Sequence, residues 1–258
     1  MEDKNNILIC PDVHCRLFYK PLLNIKDRPI VFLGDYMDPY RYEGTNDKDG
    51  IENLEEIIDF AKNNRNVTLL IGNHDVSHTW SYHRIERTAY KYYPTLHKLY
   101  RDNIDLFKPC LKIDDVLFTH AGVSKGWVDT MNELFERQES TFRITQDNID
   151  LYIENEFQNE LKFDECERHG MRYCSPRSHI FDIGYARWGD SPYGGPFWND
   201  FNDEYWDPDG WNLIQIMGHT QREVTGTIGI NGNGYCVDSR AIFEYDFNNK
   251  TVVKSDSM

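Results

Sequence analysis

The segment Leu69-Leu70-Ile71-Gly72-Asn73-His74-Asp75 passes from an apolar run through a glycine into an amide, an imidazole and a carboxylate. Four other segments follow the same plan. Ile7 to Cys10 leads into Pro11-Asp12-Val13-His14, and Ile30 to Leu33 into Gly34-Asp35-Tyr36-Met37-Asp38. Val116 to Thr119 leads into His120-Ala121-Gly122, and Leu213 to Met217 into Gly218-His219-Thr220-Gln221. Each apolar run has the length of a buried strand and stops at a small or turn-forming residue. Open α/β sheets place their ligands at the ends of their strands. Asp12, His14, Asp35, Asn73, His120 and His219 therefore form the candidate ligand set. Imidazole, carboxylate and amide donors suit divalent first-row metals, with manganese, iron and zinc all acceptable.

Taken in order, Asp-x-His, Gly-Asp-x-x-Asp, Gly-Asn-His-Asp, His-Ala-Gly and Gly-His-Thr resemble the calcineurin-like metallophosphoesterases. Within that superfamily the chain looks most like the phosphoprotein phosphatase branch, which includes bacterial diadenosine tetraphosphatases. The resemblance lies in residues 7–122 and 213–245. It implies an α/β fold, a four-layer α-β-β-α sandwich of two mixed β-sheets flanked by helices, with an inserted helical and loop cap. It also implies two divalent ions, with manganese the practical expectation. Asp12, His14 and Asp35 would bind one ion; Asp35 would bridge to the other, which Asn73, His120 and His219 would hold. A metal-bridging hydroxide would attack a phosphomonoester, His74 would act as general acid, and Asp38 would orient His74.

The chain also departs from the family pattern. Cys15 stands where the family usually has glycine. Pro39-Tyr40 follows Asp38, where the related phosphatases carry Arg-Gly and use that arginine to hold phosphate; the nearest arginine here is Arg41. Gln221 takes the place of a second histidine found in many metallophosphoesterases, and the phosphoprotein phosphatase branch likewise lacks that histidine. Gly194-Gly195-Pro196-Phe197-Trp198 resembles that branch's substrate-side loop, and points to Arg187, then Arg177, as a second phosphate ligand. Asp75 stands where the branch often has Glu, and a structural role is expected.

These residues need elements to position them. The 258 residues suffice for one domain, 1–258, with 124–212 as an inserted cap or lid. Ile51, Leu54, Ile58 and Ala61 mark one face of a helix reaching Lys62, which sits between two parallel strands. Ile113-Asp114-Asp115-Val116 reads as a hairpin turn, and 132–137 and 146–161 as amphipathic helices. Residues 226–245 read as antiparallel strands completing a second sheet. His78, His83 and His97 are expected on the surface or in packing roles, and Arg16 either toward the substrate or in solvent. Cys166 and Cys174 flank His169 at a spacing that matches no common zinc finger.

A formal net charge of −15 argues against extended nucleic-acid binding but not against a small phosphate group beside metal cations. A phosphorylated protein or a small phosphoester is the expected partner. The six cysteines are scattered without a disulfide framework, no apolar stretch is long enough to span a membrane, and Met1 to Asn6 is polar. These features point to the cytoplasm. Two alternatives compete with the phosphatase. A hydrolase of dinucleoside polyphosphates or nucleic-acid ends could stack a base on Trp188, Tyr193, Phe197 and Trp198. A non-catalytic binding module would not be expected to keep the whole ligand set.

Overall fold

The structure is a computed structural model, and it describes residues 6–80, 85, 87–168 and 178–255. In chain order its strands are β1 (Asn6–Cys10), β2 (Ile30–Phe32), β3 (Val67–Leu70), β4 (Phe107–Lys108), β5 (Cys110–Ile113), β6 (Val116–Thr119), β7 (Ile214–Met217), β8 (Gly229–Asn231), β9 (Gly234–Cys236), β10 (Phe243–Asp246) and β11 (Thr251–Lys254). The helices are α1 (Asp47–Asn63), α2 (Asn73–Thr79), α3 (Tyr93–Asp102), α4 (Lys125–Arg137) and α5 (Ile149–Arg168). The fold is α/β with two mixed sheets and flanking helices, as the sequence led us to expect. The chain forms two compact units, one per sheet.

The first unit runs to Lys108 and adds Gln221–Ile228 and Val237 onward. Its sheet has the order β11-β10-β1-β2-β3-β4, parallel from β1 to β4. Cys10 pairs with Phe32, and Phe32 with Leu69, so the first three strands end level. That register brings three motif loops to one edge. Helix α1 crosses from β2 to β3 and begins earlier than the hydrophobic pattern suggests. The Asn46 side chain accepts from the Lys48 and Asp49 amides at 3.0 Å each, satisfying donors that a helix N-terminus otherwise leaves unpaired. The buried face of α1 is also displaced: Gly50, Asn53, Leu54, Ile57, Ile58 and Phe60 face inward, while Ile51 and Ala61 are half-buried.

The second unit comprises Pro109–Thr220 and Gly229–Cys236, with the sheet order β5-β6-β7-β9-β8. The expected hairpin joins β5 to β6, with Asp114 in the left-handed region at φ 51°. β6 and β7 are parallel with Phe118 opposite Ile216, so two more motifs leave their strands level. The expected antiparallel set at 226–245 is corrected here. β8 and β9 pair antiparallel, but β9 joins β7 in parallel, and β10 pairs antiparallel with β1 in the first sheet. Helix α4 starts at a Ser124 cap, well before residue 132, and α5 runs past 161.

Candidate active site

In the first unit, the loops after β1 and β2 interlock through the His14 amide on the Asp35 carbonyl at 2.7 Å and the Cys15 amide on the Tyr36 carbonyl at 2.9 Å. His14, Cys15, Asp35 and Asp38 all have positive φ, from 43° to 62°. Such backbone costs on the order of 1–3 kcal/mol per non-glycine residue and persists where surrounding structure overdetermines it. Two glycines make the approach possible. A Cβ on Gly34 would lie 2.4 Å from the Gly72 nitrogen, and one on Gly72 would lie 2.2 Å from Asp35 Oδ1. Asp75 ties these turns together, as its motif position suggested. Its carboxylate accepts from the Gly72 and Asp35 amides at 2.7 Å, the Tyr36 amide at 3.0 Å and the Tyr100 hydroxyl.

His14 Nδ1 donates to the Met37 carbonyl at 2.8 Å, which leaves Nε2 as an acceptor in the neutral ring. Burial, then the charges of His74, Arg87 and Arg16, hold the His14 pKa well below its ordinary value and keep the ring neutral. Its Nε2 lies 3.5 Å from Asp35 Oδ2. Burial, then the Asp75 charge, pushes Asp35 well above the usual carboxylate range. A nitrogen lone pair and a carboxylate oxygen thus face each other, a donor pair that suits a divalent cation. Ligand atoms of His14, Asp35 and His74 all lie within 4.8 Å of one another. Asp12 and Asn73 are buried at the ends of the neighbouring loops.

His74 donates from Nδ1 to Asp38 Oδ2 at 2.8 Å, the orientation expected of the pair. Asp38 Oδ1 accepts from His78 Nε2 and from the Ala89 amide, each at 2.9 Å. Burial alone would raise the Asp38 pKa, but the hydrogen bonds from His74 and His78 outweigh it and hold it below the normal range. His78, four residues along α2, is therefore fully buried as the second anchor of Asp38. His97 Nδ1 packs 3.1 Å from the His78 carbonyl.

Sequence reasoning missed Arg87. Its Nη2 donates to His74 Nε2 at 2.9 Å, its Nη1 to the Asp38 carbonyl at 3.0 Å, and its guanidinium lies 3.9 Å from the Tyr40 ring centroid. No motif marks it among the Tyr, His and Arg residues of its segment. Arg16 is a correction. Rather than facing solvent, it is buried and grips Glu43 with two hydrogen bonds of 2.7 and 3.1 Å, while donating to the Asp12 carbonyl.

In the second unit, His120 Nε2 and His219 Nδ1 lie 3.2 Å apart, and the Gly218 amide donates to the His120 carbonyl at 2.8 Å. His219 has φ 64°, and the Trp198 ring meets it edge-on at 5.7 Å. Arg187 pairs with Asp200 at 2.7 Å and donates to Thr220 Oγ1 at 3.0 Å. Phe197 is core rather than a stacking surface, buried 4.7 Å from Phe181, whereas Trp188 is 95% exposed. Arg177, His83, His169, Cys174 and the side chains of Arg41 and Cys166 lie outside the described residues. No helix among the described residues is long and apolar enough to cross a membrane.

No curated protein sequence matches the chain. Its fold is similar to a crystal structure of the cold-active protein-tyrosine phosphatase of a psychrophilic Shewanella species, with a TM-score of 0.58 and 19% identity over 98% of this chain and 82% of that one. A protein serine/threonine phosphatase from Saccharomyces cerevisiae, described as similar to human phosphatase PP5, aligns with a TM-score of 0.53 and 14% identity over 97% of this chain and 78% of that one. The family model for calcineurin-like phosphoesterase matches residues 6–223, most of the chain, so the protein belongs to the calcineurin-like phosphoesterase family and is a phosphoric ester hydrolase.

Proposed function

We propose that the protein is a dinuclear metal-dependent phosphomonoesterase of the phosphoprotein phosphatase type, acting on a phosphorylated protein or a small phosphoester. The observation that carries this reading is the buried His74–Asp38 pair, held at 2.8 Å beside the facing His14 and Asp35 donors. By family resemblance, Asp12, His14 and Asp35 would hold one ion, and Asn73, His120, His219 and a shared Asp35 the second. Two such ions supply an activated water and neutralise phosphoryl oxygens. The protein's own groups then have distinct tasks. Asp38 fixes the His74 tautomer with the proton on Nδ1, and its second oxygen is tied to His78 and Ala89, so it resists rotation. Once protonated on both nitrogens, His74 would give the Nε2 proton to the departing oxygen and keep the Nδ1 proton on Asp38. Phosphoprotein is the substrate named for both fold relatives, and the negative surface charge agrees with a small phosphate group rather than a polyanion. Cys10, Cys15, Cys110 and Cys236, all buried and none in a disulfide, support a reducing, cytoplasmic setting, with manganese as the working metal.

The test compares p-nitrophenyl phosphate with its bis ester in manganese-loaded protein, for wild type and His74→Asn. We expect monoester turnover that falls by about 10²- to 10⁴-fold in the variant at unchanged metal content. A preference for the diester, or an equally active variant, would sink the assignment.

A further inference from the structure

The mechanism above makes no use of Arg87. Arg87 stands where a phosphoryl group bound beside His74 would need a positive partner. Its Nη2 is 2.9 Å from His74 Nε2, the nitrogen that must face the leaving oxygen. Its guanidinium carbon lies over the Tyr40 ring, 3.9 Å from the centroid, with the His14 ring edge-on to the same tyrosine at 5.0 Å. Tyr40 follows Asp38-Pro39, so the tyrosine occupies the stretch where the related phosphatases place their phosphate-holding arginine. The Arg87 charge also reaches His14, Asp35 and His74 strongly enough to perturb each of them. The residue is exposed overall, and its backbone is left-handed at φ 66°. A guanidinium presents a planar fork that matches two phosphate oxygens, and stacking on an aromatic face orders it without consuming its outward donors.

We propose that Arg87, presented on the Tyr40 ring from a segment remote in sequence, is the arginine that binds the substrate phosphate in this site. The proposal rests on the phosphomonoesterase reading. In the absence of substrate the guanidinium donates to His74 Nε2; on binding, the phosphoryl oxygens take over those donors, and the freed Nε2 takes up from solvent the proton that it gives to the leaving group. Tyr40 serves as a platform.

The test uses manganese-loaded protein with inorganic phosphate as the probe. Affinity is read by calorimetry and by competition against p-nitrophenyl phosphate, with metal content measured in parallel. Arg87→Gly removes the guanidinium while suiting the left-handed backbone, so the fold is preserved. Arg87→Lys keeps a charge without the fork. We expect Arg87→Gly to weaken phosphate binding by about 10- to 100-fold, the value of hydrogen bonds to a charged group, with Arg87→Lys in between and metal content unchanged. The loss in kcat/KM should be the same for p-nitrophenyl and phenyl phosphate. Phosphate affinity within twofold of wild type in Arg87→Gly would overturn the proposal. So would a defect confined to phenyl phosphate at unchanged phosphate affinity, since Arg87 would then act through His74 alone. A wild type that binds phosphate but turns over no monoester would sink the functional reading instead, with the Arg87 arm decided separately by the phosphate affinities.

Discussion

Asp35 and Asp75 are both buried, yet their surroundings treat them differently. Burial raises the Asp75 pKa, but four accepted hydrogen bonds, three of them from backbone amides, work against that rise. Asp35 accepts the His74 amide at 2.9 Å and looks across at a neutral imidazole. Its raised pKa means that the metal-free fold binds a proton more readily than the unfolded chain, whose carboxyl titrates near ~3.9. Stability attributable to Asp35 is therefore full below that value and declines as pH rises toward the folded pKa. His14 and His74, both lowered, act in the opposite direction, so the clean quantity is a difference between proteins. In the absence of metal, Asp35→Asn should have a higher urea midpoint than wild type at pH 7, and the gap should close toward pH 4. Manganese should reverse the order. At 100 times its dissociation constant it adds about 2.7 kcal/mol to a protein that binds it, and Asp35→Asn should gain little. A wild type that is the more stable of the two at pH 7 without metal would refute this account of the site.

At the scale of elements, α1 and the loop after β1 are fitted to each other. Cys15 takes a left-handed backbone where glycine would be relaxed, and its thiol points at Gly50. A Cβ on Gly50 would lie 2.1 Å from Cys15 Sγ and 3.0 Å from its Cβ. One glycine has in effect moved from the loop to the helix. Gly50→Ala alone should destabilise by about 1–3 kcal/mol through overpacking, despite alanine's better helix propensity. In a Cys15→Gly background the same change should be neutral or stabilising. A double-mutant cycle on urea unfolding reads the coupling, and additivity within about 0.5 kcal/mol would show that the two do not share one space. What the sequence made legible divides along the same line. Strand ends carrying Asp12, His14, Asp35, Asn73, His120 and His219 are local patterns, an apolar run with a turn behind it, and all five segments do end strands or follow them directly. The start of α1 was missed because its signal is a single capping residue, Asn46, outside the apolar repeat. The place of β10 was missed because sheet membership depends on a partner, β1, more than 200 residues away. Arg87 was invisible for a similar reason: its value lies in where Tyr40 and His74 meet it, not in its neighbours along the chain.

Over the whole molecule, 43 acidic residues against 28 basic ones leave a net charge of −15, while the proposed reaction needs cations and a phosphate group at the site. A field of one sign repels anionic ligands at long range and speeds the approach of cationic ones, and added salt screens it. A phosphate monoester flanked by Lys and Arg therefore combines local attraction at the site with favourable steering. The same ester flanked by Glu has only the first. At an ionic strength of about 10 mM, where the Debye length is about 30 Å, kcat/KM for a basic phosphopeptide should exceed that for its acidic counterpart by about tenfold or more. Near 1 M, where the Debye length is about 3 Å, the two should converge, the basic peptide slowing and the acidic one gaining. Dinucleoside polyphosphates, anionic throughout, should behave as the acidic peptide does and speed up with salt. Equal rates for the two peptides at low salt would mean that net charge plays no part in substrate choice; faster hydrolysis of the acidic peptide there would require a local basic surface that overrides the molecule's charge.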